Sequence, residues 1–168
     1  TQHPVFLRLR PVIADYRLPL QLFRDLLDAF IQDIGQERYA DFAELLDYCR
    51  RSANPVGRLL LHLFDQASPE NLRRSDAICS ALQLINHWQD IGIDWKKQRV
   101  YLPQEDLQRF GVDEAQIAVG LVDDKWRALL GFEVDRARTL MLEGAPLGRS
   151  LPGRIGLELR LIVAGGLR

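Results

Sequence analysis

The chain has little cysteine: Cys49 and Cys79 are too few for a disulfide scaffold and match no metal-ligand spacing. It also lacks charge of one sign. Twenty-two Lys plus Arg face 23 Asp plus Glu, a net of −1, without the basic excess of a nucleic-acid binder. No uncharged apolar run approaches the roughly 18–20 residues that a membrane-spanning helix needs. The opening residues show no charged leader ahead of an apolar stretch. These absences set the expectation of a cytoplasmic globular chain with a sizeable core, organised as one domain over residues 1–168. The first residue is Thr1 rather than Met, and Leu161 to Arg168 is an apolar phrase, so both ends read as cut.

Alternating Val, Ile and Thr are nearly absent, whereas 29 residues are leucine, so the period to look for is helical. Pro4 to Tyr16 reads as a first helix kinked by Pro11. A second starts at Leu18-Pro19 and stops at Gly35. Asp41 caps a third, interrupted at Asn54-Pro55, and Arg58 to Phe64 continues it. Ser68-Pro69-Glu70 is a strong helix start, and that helix is expected to run to about Trp95. A loop over Lys96–Pro103 follows, then a short helix capped by Asp113 with Gln116. Asp123 caps a long helix to about Glu143, and a last one covers Pro152 to Leu167. The fold class is all-α.

The Ser68–Trp95 segment carries the chemistry. At about 100° per residue, Asp76, Gln83, Asn86, His87, Asp90 and Asp94 share a strip on the order of 100° wide. Apolar residues fill most of the remaining circumference, which is the reverse of a surface helix. The pattern suits a buried helix whose polar strip faces an internal cavity. Asp90 and Asp94 stand one turn apart, where like charges repel unless a cation offsets them. Mg²⁺ takes one or two carboxylates and shares its other positions with water and phosphate oxygens. Asn86 adds a neutral oxygen ligand, and Lys96, Lys97 and Arg99 follow as partners for phosphate. Taken alone, the aspartate pair reads first as a solvated helix face, and the apolar surround with the basic residues just beyond brings the two readings level. Arg50-Arg51 and Arg73-Arg74 read as solvated helix charges, and both cysteines as small buried residues.

Gln83-x-x-Asn86-x-x-Gln89-Asp90-x-x-x-Asp94, followed by Arg99-Val-Tyr101-Leu-Pro103, resembles the squalene/phytoene synthase family. That family's second aspartate-rich motif has the form Q-x-x-N-x-x-R-D-x-x-x-D, ahead of an R-[IV]-Y-[LF]-P phrase. Tyr48-Cys49-Arg-Arg-Ser-Ala53-Asn54-Pro55-Val56-Gly57 is similar to its Y-C-x-x-V-A-G-x-V-G block, and Ala29-Phe30-x-x-Asp33 stands where many members have G-M-x-x-D. Gln89 replaces the usual Arg, and Asn54-Pro55 the usual Gly-Thr. With Trp88-Gln89-Asp90 and Tyr101-Leu-Pro-Gln-Glu-Asp106, these departures look most like the bacterial hopanoid-pathway branch.

The resemblance implies an isoprenoid synthase helical bundle around a central cavity, in partial form. It lacks the N-terminal helices with the first aspartate-rich motif and the extreme C-terminus, and is inactive as it stands. It implies Mg²⁺ held by Asp90, Asp94 and Asn86, and catalytic roles for those residues and Tyr48. It implies diphosphate or substrate contacts from Gln83, Lys96, Arg99, Tyr101 and Phe30. Phe23, Leu26, Leu45 and Ile85 join Phe30 as candidates for an apolar lining. The implied substrate is presqualene diphosphate, converted to hydroxysqualene. The alternatives are phytoene- or dehydrosqualene-type condensation, starting from farnesyl diphosphate or a similar prenyl diphosphate, and a non-catalytic helical lipid-binding protein. Tyr48 also reads as a half-buried helix tyrosine with a satisfied hydroxyl. Peripheral membrane contact stays open.

Overall fold

The computed structural model describes residues 2–168, and eleven helices account for its regular structure. They are α1 (Pro4–Asp15), α2 (Leu20–Gly35), α3 (Phe42–Ser52), α4 (Asn54–Leu63), α5 (Pro69–Gln89), α6 (Ile91–Lys96), α7 (Gln104–Phe110), α8 (Glu114–Val119), α9 (Asp124–Gly144), α10 (Leu147–Ser150) and α11 (Gly153–Gly166). The expected all-α class holds. The one β-type feature among the described residues is an isolated parallel bridge between Arg38 and Val100. Among the described residues no helix is long and apolar enough to cross a membrane.

Side-chain caps set the helix starts. Asp41 accepts from Glu44 N at 2.8 Å, Ser68 from Asn71 N at 3.3 Å, Asp113 from Gln116 N at 2.9 Å and Asp123 from Trp126 N at 2.8 Å. Pro11 stays within α1. Asn54-Pro55 opens α4 rather than only interrupting α3, and buried Asn54 accepts from Ser80 Oγ at 2.9 Å, pinning α4 to α5. The helix α7 has no forecast in the sequence pattern; it follows Pro103 and ends at Gly111, where φ is +64°.

The central pair is α5 against α9, with α4 on the other flank of α5. Leu84, Leu129, Ala137 and Leu107 join Tyr39, Leu45, Tyr48 and Val100 in one apolar cluster. Ile78, Ala81, Met141, Leu147 and Val163 form a second at the opposite end of α5. Each fully buried large aliphatic side chain contributes about 1.5–3 kcal/mol. At Gly144 the backbones come so close that a Cβ would meet Ile78 Cγ1 at 2.4 Å and the Arg74 carbonyl at 2.6 Å. Only glycine permits that crossing without displacing backbone.

Candidate active site

The helix expected to run unbroken to Trp95 instead divides at Asp90, whose φ of −100° and ψ of 9° end α5 and start α6. Helical spacing survives the bend, because Asp90 N bonds the Asn86 carbonyl and the Asp90 carbonyl accepts from Asp94 N, at 2.9 and 2.8 Å. Asn86 and Asp90 are exposed, and the Asp94 side chain is 14% exposed. The strip therefore lies open rather than in an enclosed cavity. Lys97, not Lys96, pairs with Asp94, at 3.3 Å. Farther along α5, Asp76 is taken up by a two-pronged pair with Arg58. No group of three or more His, Cys, Asp or Glu gathers in metal-binding geometry among the described residues. The donors at hand are two carboxylates and one amide, all hard oxygens, which suits a cation that keeps several waters.

Beside this strip sits a second, buried group built on a strap of chain. Val100 N–H donates to the Glu37 carbonyl and Gln104 N–H to the Tyr39 carbonyl, both at 2.9 Å. Arg38 ties the two segments together by donating to the Gln98 carbonyl at 2.5 Å and pairing with Glu114 at 2.6 Å. The strap fixes Arg99 and Tyr101. Arg99 Nη2 donates to the Asp33 carbonyl at 2.6 Å, and its guanidinium also reaches the Tyr101 hydroxyl. The Tyr101 ring stacks on His87, 3.6 Å between centroids and 15° between planes, and Tyr48 lies within 6.2 Å of both. The Asp33 carboxylate lies near enough to act on the Tyr48 hydroxyl.

Burial governs the electrostatics of this group. It raises the Tyr48 hydroxyl far above the ordinary tyrosine value, and the Asp33 carboxylate raises it further. It raises Tyr101 as well, against the pull of the Arg99 guanidinium. His87, 6% exposed, is pushed down to about 3 by desolvation. Its imidazole is neutral at physiological pH, so the ring Nε2 can accept from the Gln83 amide nitrogen 3.2 Å away.

An apolar cavity of about 440 Å³ lies between α4, α5 and α11. Ser75, Cys79 and Leu82 of α5 line it with Val56, Leu60 and Phe64, and Ile155, Leu159 and Ile162 close it. Gly57 lets α4 approach, since a Cβ there would meet Ser75 Oγ at 2.3 Å and Cys79 Sγ at 2.6 Å. Ser75, Cys79, Leu82, Asn86 and Asp90 recur at helical spacing along one face of α5. Cavity wall and oxygen donors are thus ends of a single face, and Cys79 to Asp90 spans about 16 Å at roughly 1.5 Å per residue.

The squalene/phytoene synthase family model matches residues 1–168, the whole chain. The chain belongs to the squalene/phytoene synthase family. A hydroxysqualene synthase of Rhodopseudomonas palustris is 36% identical over 164 residues, covering 96% of this chain and 56% of that protein. A 15-cis-phytoene synthase of Synechococcus elongatus is 36% identical over 138 residues, covering 75% and 45%. The chain thus spans about half the length of the curated relatives it matches. The crystal structure of squalene synthase HpnC from Alicyclobacillus acidocaldarius superposes with a TM-score of 0.94 at 40% identity, covering 99% of this chain and 64% of that one.

The family's motif blocks converge at one end of the bundle. Tyr48, Gln83, Arg99 and Tyr101 fall in the buried group, and Asn86, Asp90 and Asp94 in the open strip. Lys96 is exposed. Phe30 is 59% exposed, because α2 buries Ala29 on the neighbouring position instead. The expected lining residues do not border the cavity between α4, α5 and α11. Leu45 is fully buried core, Ile85 lines a different pocket with Trp88 and Gln89, and Phe23 and Leu26 are half-buried on α2. Tyr48 is buried rather than half-buried. Arg50, Arg51, Arg73 and Arg74 are helix charges with carboxylate partners. Cys49 is buried, whereas Cys79 borders the cavity. Two site residues escape the sequence reading: Asp33 as the partner of Tyr48, and His87 as the partner of Gln83. Their signals were a motif match and a four-residue spacing.

Proposed function

We propose that the protein is a squalene synthase-like isoprenoid synthase that converts presqualene diphosphate to hydroxysqualene. One observation carries this reading: a single face of α5 bears oxygen donors at one end and the wall of an apolar cavity at the other. Such a face suits a ligand with a multiply charged head and a long hydrocarbon tail, which is the build of a prenyl diphosphate. The relative named a hydroxysqualene synthase, together with Gln89 and Asn54-Pro55, supports this product. The phytoene synthase relative favours a second reading, condensation of two prenyl diphosphates.

In the proposed reaction the carbon–oxygen bond to diphosphate breaks and its electron pair leaves on the diphosphate. Water forms the new carbon–oxygen bond and releases a proton, so no reductant is consumed. Asp90, Asp94 and Asn86 would hold Mg²⁺, which would supply positive charge to the departing diphosphate. Arg99 and Lys96 add cationic charge on the same side. Tyr48, kept protonated by burial and by the nearby Asp33 carboxylate, offers a neutral hydroxyl and a ring face that steer the cation or place the quenching water. A first aspartate-rich helix upstream, facing this strip, belongs to the same proposal, and the upstream reading frame tests it.

The test supplies full-length enzyme and Mg²⁺ with presqualene diphosphate and farnesyl diphosphate in parallel. Hydroxysqualene from presqualene diphosphate is the expected product. A condensation product without hydroxysqualene would move the protein to the second reading. No Mg²⁺-dependent diphosphate release from either substrate would leave a non-catalytic lipid-binding protein.

A further inference from the structure

Away from the candidate site, two buried carboxylates meet an Arg136 side chain that is 23% exposed, where α9 meets α7 and α3. Glu133 on α9 is fully buried, and Asp106 on α7 is 2% exposed. One guanidinium serves both: Arg136 Nη1 donates to Asp106 Oδ2 at 2.5 Å and stands 3.4 Å from Glu133 Oε1. Arg136 is itself held between the rings of Phe42 and Phe132, 4.2 and 4.1 Å from their centroids. Among the described residues no N–H or O–H donor serves Glu133 Oε2. The Asp106 carboxyl, however, is within hydrogen-bond reach of Glu133.

Two ionised carboxylates against one cation would leave a net negative charge in an apolar enclosure, and a buried oxygen with no donor. Two carboxyl groups can bond each other only if one carries a proton. A proton on Glu133 therefore removes both costs. From α5, Leu84 and Trp88 enter the apolar cluster that α7 and α9 share; neither is charged, and the buried Trp88 Nε1 has no hydrogen-bond partner among the described residues. Glu105 of α7 accepts from Phe42 N at 3.0 Å, and Arg109 lies over the Phe132 ring at 4.6 Å.

We propose that Glu133 keeps its proton at neutral pH and donates it to Asp106, and that this pair, clasped by Arg136, is an alkali-sensitive latch joining α9 to α7 and α3. The latch bears on the site through the chain itself: α7 begins directly after the strap that carries Arg99 and Tyr101, and α3 carries Tyr48. Desolvation pushes Glu133 up to about 8, with Arg136 opposing and Asp106 adding to the rise. An acid raised in the folded state takes up a proton on folding between the ordinary glutamate range and that value. Stability therefore falls as pH rises through that window and levels off above it.

The latch is independent of the reaction, and the chain as it stands is sufficient for the test. Infrared spectra of wild-type chain at pH 7 should show a protonated-carboxyl stretching band that moves on ¹³C labelling of Glu or Asp. That arm needs no variant. In Glu133→Gln and Asp106→Asn the band should vanish, and proton uptake on folding at pH 7 should drop by about one per chain. Raising the pH from 7 to 9 should alter the tyrosine near-ultraviolet circular dichroism of wild type more than that of either variant. A wild type without the band at pH 7 overturns the protonated Glu133. An equal alkaline change in wild type and both variants overturns the latch.

Discussion

The two halves of the candidate site are built in opposite ways. The Tyr48–Asp33–Arg99–Tyr101–His87 group is buried or half-buried, and its rings are stacked. The strap that carries Arg99 and Tyr101 is bonded to backbone along its length. The Asn86–Asp90–Asp94 strip is open, and its recorded ion pair is the contact of Asp94 with a Lys97 that is itself 60% exposed. The fold pre-organises the first half, whereas like charges in the second await a counter-charge from outside. A substitution in the first should therefore cost stability, and one in the second should cost function alone.

The sharpest separation is Asp90→Asn in the full-length enzyme. Metal-ion stabilisation of a leaving group is worth several kcal/mol, so turnover should fall about 10³-fold or more. The unfolding free energy should stay within about 0.5 kcal/mol of wild type, as for an exposed residue without a buried partner. Retained turnover removes the metal assignment. A collapsed thermal midpoint instead breaks the contrast between the halves.

Asp33→Ala probes the other half. It takes the nearby carboxylate away from the hydroxyl of Tyr48, a residue that is 4% exposed. Leaving a buried polar group unpaired costs about 1–3 kcal/mol, readable in urea unfolding of the chain itself. An unchanged midpoint would show that the hydroxyl finds water in place of Asp33.

Open and buried halves also differ in how far the sequence announces them. Helix starts at Asp41, Ser68, Asp113 and Asp123 were legible because a cap is a local bond within three residues. Asp90 and Asp94 were legible by periodicity, since a strip is a property of one helix. The bend at Asp90 was not, because nothing in its residue types distinguishes it from a continuing helix. Which apolar residues border the cavity between α4, α5 and α11 was hidden for a related reason. Apolar residues on α2, α3 and α5 look alike in sequence, and the choice between core and lining depends on where α4 and α11 pack. Asp33 and Tyr48 lie on different helices, so their pairing is tertiary information.

His87 offers a smaller effect with a definite sign. Its imidazole stays neutral in the folded chain down to about pH 3, whereas in the unfolded chain it takes a proton below about 6.5. The unfolded state binds more protons in that window, so stability is full above it and is lost as pH falls from about 6.5 toward 3. Between pH 7.5 and 5.5 wild type should lose about 1.4 kcal/mol from this group. His87→Phe, which keeps a ring for Tyr101 to stack on, should lack that part of the loss. Equal acid sensitivity in both would mean that His87 charges in place.

Lys97→Ala tests the open half at its weakest contact. The Lys97–Asp94 pair at 3.3 Å links an ammonium in solvent to a carboxylate one turn away, and such pairs are worth about 0.2–1 kcal/mol at most. Removing it should leave unfolding unchanged within error. Any cation entering the strip has to displace this ammonium and meets its repulsion meanwhile. The variant should therefore bind Mg²⁺ alone, without diphosphate, about twofold more tightly in calorimetric titration, the equivalent of roughly 0.4 kcal/mol. Weaker Mg²⁺ binding would show that Lys97 orders Asp94 for the metal. The strip would then be pre-organised like its neighbour, and the contrast between the two halves would be one of exposure rather than of assembly.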